Sequence, residues 1–354
     1  MTSLIGNAPV DGVDVAALLG IPISAEQERA VQAPLKPCAV IAGAGTGKTT
    51  VMAARVVWLV ASRLVSPEEI LGLTFTNKAT AELSERIESN LTRVGLLTSE
   101  QPRPTVATYD SFAGTLVNDY GAWDGISTGA HLITGARAYQ LAAEVVMGLD
   151  KAPLAATHMG PTFIAQAVVK LAGAMASHDA SPGKVRRADA RWRQMLLAAP
   201  TKRGGDRYAD IDKWLSRVDE REELLDLVAA YQNLKKERGL VEFGDRMVQA
   251  LHLVTHHPRV GEELRARYRV VLLDEYQDTS SAQADVLAAL FSGPDSAHGM
   301  GHPVMAVGDP LQAIYEWRGA AASNILEFHR RFPNKEGTPA QVLSLATNRR
   351  CADQ

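Results

Sequence analysis

Cysteine is scarce: Cys38 and Cys351 are the only two in 354 residues. Two thiols cannot build a disulfide framework or a cysteine zinc cage. Long apolar runs are missing as well. None approaches the ~18–20 residues that a membrane span needs, so no membrane is expected among the partners. No basic residue precedes Arg29, so the start lacks the charged segment of a secretory signal. A cytoplasmic protein is expected. There is no large excess of one charge either, since the net charge is −3 at pH 7. The chain as a whole exerts no general pull on nucleic acid, and any such binding must come from local patches. What remains is ordinary: 46% hydrophobic and 22% charged residues. That composition excludes a disordered chain or a collagen-like repeat, and the length suits two or three domains.

Five short apolar runs read as buried parallel strands: 38–41, 70–73, 105–107, 270–273 and 304–307. Continuous apolar runs of this length are what a sheet covered on both faces requires. Each run ends in polar or glycine-rich residues, and ligands of open α/β sheets bind at such carboxyl ends. The third and fourth runs lie about 160 residues apart, whereas a crossover needs about a dozen residues plus its helix. The spacing therefore predicts an inserted helical domain over 115–225, splitting a sheet domain into 22–114 and 226–340. Residues 1–21 read as an extension. Before the first strand, Ser24 is placed as a helix N-cap with Gln27 as its capping-box partner. Residues 184–207 concentrate Lys184, Arg186, Arg187, Arg191, Arg193, Lys202, Arg203 and Arg207 against Asp189 and Asp206. Such a run is either a solvated face or a contact for a DNA backbone. The stretch 210–226 turns acidic.

Ala42-Gly43-Ala44-Gly45-Thr46-Gly47-Lys48-Thr49 follows the first strand and opens a helical pattern. This is the phosphate-loop pattern, with alanine in place of the first glycine. Its glycines let backbone N–H groups curl around a phosphate. Lys48 brings a positive charge to the β and γ oxygens, and Thr49 offers a hydroxyl to Mg²⁺. The following helix N-terminus also favours an anion. The fourth strand ends in Asp274 and Glu275. Asp274 is suited to Mg²⁺, and Glu275 to orienting or deprotonating a water that attacks the γ-phosphate. Together these two segments point to ATP with Mg²⁺.

Further segments fit one pattern. They are Thr74-Phe75-Thr76-Asn77-Lys78-Ala79, residues 108–112, Leu273-Asp274-Glu275-Tyr276-Gln277-Asp278-Thr279, residues 307–320 and Asn348-Arg349-Arg350. With Gln27 and the loop at 42–49, they resemble superfamily 1 DNA helicases of the UvrD/Rep/PcrA type across 22–354. The resemblance implies a RecA-like P-loop NTPase fold: α/β, a parallel sheet with helices on both faces, plus the inserted all-helical domain. It implies that Gln27 reads the adenine edge and that Ala42, Gly43, Ala44, Gly45, Thr46, Gly47, Lys48, Thr49 and Thr50 cradle the nucleotide. By the same resemblance Thr49 and Asp274 hold Mg²⁺ and Glu275 handles the water. Gln312 senses the γ-phosphate, Arg350 stabilises charge developing on it, and Arg318 links the nucleotide and DNA sides. Phe75, Tyr315 and Trp317 would stack on unpaired bases, with Asn77 and Thr108 beside them on the strand. Stacking tolerates any sequence and is worth ~1–3 kcal/mol per base. Three positions depart from the family's pattern. Asp110 stands where His is usual, Arg349 where a Tyr stacks on adenine, and Thr50 where many relatives carry Arg.

The implied partners are single-stranded DNA, duplex junctions and a second RecA-like domain, of which 341–354 would be the start. On this reading the chain is the N-terminal half of a longer motor that translocates 3′ to 5′, and by itself it is expected to bind ATP and single-stranded DNA without efficient unwinding. The form Asp309-Pro310-Leu311-Gln312-Ala313-Ile314-Tyr315 and the alanine-rich text of the chain also resemble helicase–nuclease motor subunits of the actinobacterial AdnAB kind, which implies a paralogous subunit as a further partner. A nucleotide kinase and a non-hydrolysing binding module are the competing readings. A kinase would keep its acceptor machinery close behind the loop, whereas here well over two hundred residues separate Lys48 from Asp274.

Overall fold

The computed structural model describes residues 10, 12–127, 129–153, 158–202, 205–315 and 319–348. Along the chain come helices α1 (Val15–Leu19) and α2 (Ala25–Val31), strand β1 (Cys38–Ala42), α3 (Lys48–Ala61), β2 (Ile70–Thr74), α4 (Asn77–Arg93), β3 (Thr105–Thr108) and α5 (Tyr109–Tyr120). Then follow β4 (His131–Leu132), α6 (Gly135–Met147), α7 (Pro161–Ser177), α8 (Pro182–Leu197), α9 (Ala209–Glu237), β5 (Leu240–Val241) and α10 (Phe243–His256). The last elements are α11 (Pro258–Arg267), β6 (Val270–Leu273), α12 (Ser281–Phe291), β7 (Val304–Gly308), α13 (Ser323–Arg331) and β8 (Gln341–Leu345). The chain divides into one unit of Met1–Asp124 with Ala250–Gln354 and a second of Gly125–Gln249. Among the described residues no helix is long and apolar enough to cross a membrane.

The first unit is built on a six-stranded sheet in the order β3-β2-β6-β7-β1-β8, every pair parallel. The five expected strands all form, each within one residue of its expected end. Strands β2, β6 and β7 are buried along their whole length, which is why they read as unbroken apolar runs. The sixth strand is a correction. Residues 341–345, expected to begin a second domain, instead pair with β1 as the sheet edge, Cys38 beside Gln341 through Ala42 beside Leu345. Val51, Met52, Val56 and Leu59 of α3, Leu83 and Ile87 of α4, and Val40 of β1 belong to one buried apolar cluster.

Arg55 is the buried charged side chain of α3, and it is 1% exposed. Its Nη1 donates to the carbonyls of Ala30, Val31 and Ala33 at 3.3, 3.0 and 2.8 Å. These groups lie at or just past the end of α2, where helix carbonyls lose their own partners. Burial pushes the guanidinium down to about 10, so it stays charged at neutral pH and binds carbonyl dipoles in place of a counter-ion. Replacing Arg55 by Met leaves several buried carbonyls unpaired. Urea titration is expected to show a loss of about 3–5 kcal/mol; a loss below about 1 kcal/mol would show that water takes over the carbonyls.

The second unit has its own core. Leu141 and Ala142 of α6, Ile164 and Val168 of α7, and Leu225, Val228 and Tyr231 of α9 are buried together. Strands β4 and β5 form a two-residue parallel pair. The observed bounds of this unit, Gly125–Gln249, replace the expected 115–225. Residue 225 falls inside α9, a single 29-residue helix, and a continuous helix gives no place to divide a domain. The basic run at 184–207 acquires a structural partner here. On α8, Arg186 reaches Glu222 and Asp226 at 2.6 Å each, and Arg193 pairs with Asp219. Arg221 of α9 returns a bidentate contact to Asp189. The acidic stretch of α9 thus faces the basic stretch of α8, and much of the local charge is neutralised inside the unit.

Candidate active site

Three neighbouring strand ends build the site. Strand β7 lies between β1 and β6, so the loop after β1 and the acidic pair after β6 are two strand spacings apart, ~10 Å. Lys48 reaching from one side and Glu275 from the other close that gap. Lys48 Nζ lies 3.0 Å from Glu275 Oε2 and 3.5 Å from Gln312 Oε1. The pair is partly sheltered, with side-chain exposures of 11% and 33%.

The loop is shaped by its glycines. Gly47 is the N-cap of α3 with φ +87°, a region open to glycine at little cost. A Cβ there would also stand 2.7 Å from Gln27 Nε2. Inside the loop, Thr46 is buried and its hydroxyl donates to the Gly43 carbonyl at 2.8 Å. Gly43 and Gly45 are half-buried, Ala44 is exposed, and Ala42 is the buried last residue of β1. Thr49 sits in the first turn of α3, and Arg86 of α4 donates to the Thr50 hydroxyl at 3.3 Å.

Gln27 is buried and doubly engaged. It completes the capping box with Ser24, and its Nε2 donates to the Thr46 carbonyl at 2.8 Å. The capping box and a contact with the 43–47 loop therefore hold for the same side chain.

Behind Lys48 is a chain of polar groups. Burial, then the charge of Glu275, pushes the Asp274 carboxyl up to about 7; the Glu275 backbone N–H and Lys48 offset part of that. The buried Tyr109 hydroxyl donates to the Asp274 carbonyl at 2.9 Å. Glu275 itself has φ +45°, a strained conformation for a residue with a Cβ. Gln277 Nε2 donates to Glu275 Oε2 at 2.8 Å, while Gln277 Oε1 accepts from the Asp309 backbone at 3.0 Å. That approach needs Gly308, where a Cβ would collide with Gln277 Oε1. Asp309 then accepts from Gln312 Nε2 at 2.5 Å. Gln277, Asp309 and Arg86 were not singled out from sequence. Gln277 lies inside a segment already flagged, and its burial among carboxylates is what marks it.

Next to this chain is an aromatic pair. Phe75, just after β2, and Tyr315, just after the Gln312 turn, have ring centroids 4.6 Å apart at 32°. Both are half-buried, and Asn77 is exposed in the first turn of α4. The Ile314 backbone N–H donates to Asp278 at 3.4 Å, which ties the Tyr315 segment to the acidic one. Thr108 pairs with Thr74, the residue before Phe75, across β3 and β2; it is buried and caps α5 through Ser111. Asp110 accepts from Gln283 of α12. Trp317, Arg318, Arg349 and Arg350 lie outside the described residues.

The residues fit a magnesium-bound triphosphate. The glycine-lined loop ends in Lys48 at a helix N-terminus, and the buried Asp274 carboxyl is costly to ionise without a cation beside it. The sequence comparison decides the family. Residues 23–333 match the UvrD/REP helicase N-terminal domain. The chain belongs to that family. This UvrD/REP-type domain is RecA-like, with the parallel six-stranded sheet described above. It is 27% identical over 331 residues to a DNA helicase II of Rickettsia typhi, covering 93% of this chain and 42% of that one. It is 28% identical over 317 residues to the ATP-dependent DNA helicase UvrD1 of Mycobacterium tuberculosis H37Rv, covering 88% and 36%. For DNA helicase II of Escherichia coli K12 the figures are 28% over 324 residues, covering 92% and 38%. The chain thus spans about two fifths of the length of these relatives.

Proposed function

We propose that this chain is the ATP-binding, strand-gripping half of a DNA-stimulated motor that moves 3′ to 5′ on single-stranded DNA and opens duplex junctions. A second RecA-like domain would supply the other wall of the cleft, and a paralogous helicase–nuclease subunit is a further partner to test. The observation that carries the reading is the meeting of Lys48, Glu275 and Gln312 at three strand ends, with the Phe75–Tyr315 pair three residues beyond Gln312. A nucleotide kinase has no use for the aromatic pair, and a passive binding module has no use for the strained, ion-paired Glu275.

In this reading the loop at 43–47 and Lys48 bind the phosphates, and Arg86 reaches the same loop through Thr50. Gln27 leaves Thr46 to meet the base. Thr49 and Asp274 would hold Mg²⁺, which when bound would draw charge from the γ-phosphate. Lys48 transfers its contact from Glu275 to phosphate, and Glu275 is freed to take a proton from the attacking water. Gln312 loses Lys48 as a partner in the same exchange. The segment from Gln312 to Tyr315 is short, so a shift at the nucleotide is passed to the aromatic pair. Trp317, Arg318 and Arg350 would complete the DNA platform, the coupling and the charge stabilisation.

ATP hydrolysis by the full-length motor, measured with and without single-stranded DNA, tests the reading. Stimulation by DNA is expected. DNA-independent phosphoryl transfer to a small acceptor would favour the kinase, and binding without turnover the passive module. Phe75→Ala and Tyr315→Ala are each expected to weaken single-stranded DNA binding by ~5–150-fold, the loss of ~1–3 kcal/mol per stacked base. Because the two rings touch, the double variant should lose less than the two single losses combined. Fluorescence anisotropy of a labelled oligonucleotide reads both.

A further inference from the structure

A cluster outside the loops that follow β1, β6 and β7 also has ligand chemistry. Asp124 is the last residue of the first unit before the chain leaves it, and Ala250 is the first on its return. His252 and His256 are one helical turn apart on α10, so their rings share a face; the rings stack with centroids 3.9 Å apart. Asp124, His252 and His256 each offer a donor atom, all within 4.8 Å of one another. His252 Nδ1 lies 2.5 Å from Asp124 Oδ2.

The surrounding hydrogen bonds are those that metal ligands need. His256 Nδ1 donates to the His252 carbonyl at 2.8 Å, which leaves Nε2 with its lone pair as that ring's ligand atom. His257 Nε2 donates to the other Asp124 oxygen at 3.1 Å and so fixes the carboxylate. Trp123 packs edge-on against the His257 ring at 5.8 Å and holds it in place. Ligating imidazoles and carboxylates are oriented by such outer contacts, to a backbone carbonyl or a neighbouring ring. An ordinary surface ion pair has no reason to carry both.

We propose that Asp124, His252 and His256 form a site for a late first-row transition-metal dication, with Zn²⁺ as the ion to test. Three protein ligands of N, N and O type suit tetrahedral Zn²⁺ with one open position. The dication replaces the proton held between His252 Nδ1 and Asp124 Oδ2, and that proton goes to solvent. Bound metal would pin the outgoing chain to the returning chain, two points 128 positions apart.

The test uses tag-free full chain, freed of metal with chelator and titrated with ZnCl₂ by calorimetry, without nucleotide. One equivalent of Zn²⁺ is expected, and a saturating excess of about 100-fold over Kd should raise Tm by about 5 °C. His256→Gln and Asp124→Asn should each weaken Zn²⁺ by at least ~10-fold, and His257→Gln by about tenfold through orientation alone. His256 is exposed, so His256→Gln should keep its metal-free Tm and carries the test if Asp124→Asn folds poorly. Absence of saturable binding would overturn the proposal. So would Zn²⁺ affinity that survives in His256→Gln but falls in Asp274→Asn, which would move the ion to the phosphate site.

Discussion

Lys48→Ala is expected to weaken Mg-ATP binding at least ~10-fold, the loss of one or two charge-assisted hydrogen bonds to phosphate at ~1.5–3 kcal/mol each. The fold should survive. Lys48 spends its charge on Glu275 and Gln312, and the apolar side of α3 is carried by other residues. A Tm within about 2 °C of the parent would confirm that the loss is local. The effect should exceed that of any single glycine change in the loop. Lys48 also keeps Glu275 and Asp274 from facing each other uncompensated, so its removal leaves two neighbouring carboxylates where an anion must enter. Equilibrium binding of a fluorescent ATP analogue measures the effect. Binding within threefold of the parent would mean that phosphate is held elsewhere and would remove the basis of the proposed function.

The parts of the fold that were legible are those where one physical demand dominates. Strands β2, β6 and β7 lie inside the sheet and must be apolar on both faces, so their runs stand out. Strand β8 is an edge strand with one neighbour. Gln341, Val342 and Ser344 are exposed, and only Leu345 is fully buried, so no apolar run announces it. Strands β4 and β5 have two residues each and carry no periodicity to detect. The bounds of the second unit differ from the expected 115–225 because strand spacing shows that an insertion exists but not where the chain leaves the first unit at Asp124 and returns at Ala250. The change from basic to acidic text at about 208 separates α8 from α9, two helices of the same unit, and the ion pairs between them explain why the signs alternate.

At the proposed site, the residues legible in the sequence are those whose chemistry is unusual at a strand end: Lys48, Asp274, Glu275 and Gln312. Those missed act through hydrogen bonds that only the fold creates. Gln277 lies between Glu275 and the Asp309 backbone, and nothing in its type distinguishes it from a surface glutamine. Gln27 shows how two readings can coincide: its backbone and Oε1 serve the capping box while Nε2 holds the loop. Thr108, which the resemblance implies as a DNA contact, also caps α5, and Thr before a helical run satisfies the same pattern for either reason.

Glu275→Gln separates chemistry from binding. The amide has the volume of the carboxylate, and its oxygen still accepts from Lys48 and Gln277, the two donors that hold Glu275 Oε2. It cannot take a proton from water. Hydrolysis is therefore expected to fall by ~10²–10⁴, the range for loss of a general base, while nucleotide affinity stays within about threefold. Affinity has a reason to rise slightly. One negative charge leaves the path of the phosphates, and the repulsion that helps push Asp274 upward is removed. The contrast with Lys48→Ala is the informative part: one variant loses binding, the other turnover with binding intact. Single-turnover hydrolysis in the presence of single-stranded DNA, beside equilibrium binding, measures the split. A near-parental rate in Glu275→Gln would assign the proton to another group. Asp278 would be the first to examine, since burial and the Glu275 charge raise its carboxyl as well and it binds the Ile314 backbone on the way to the aromatic pair.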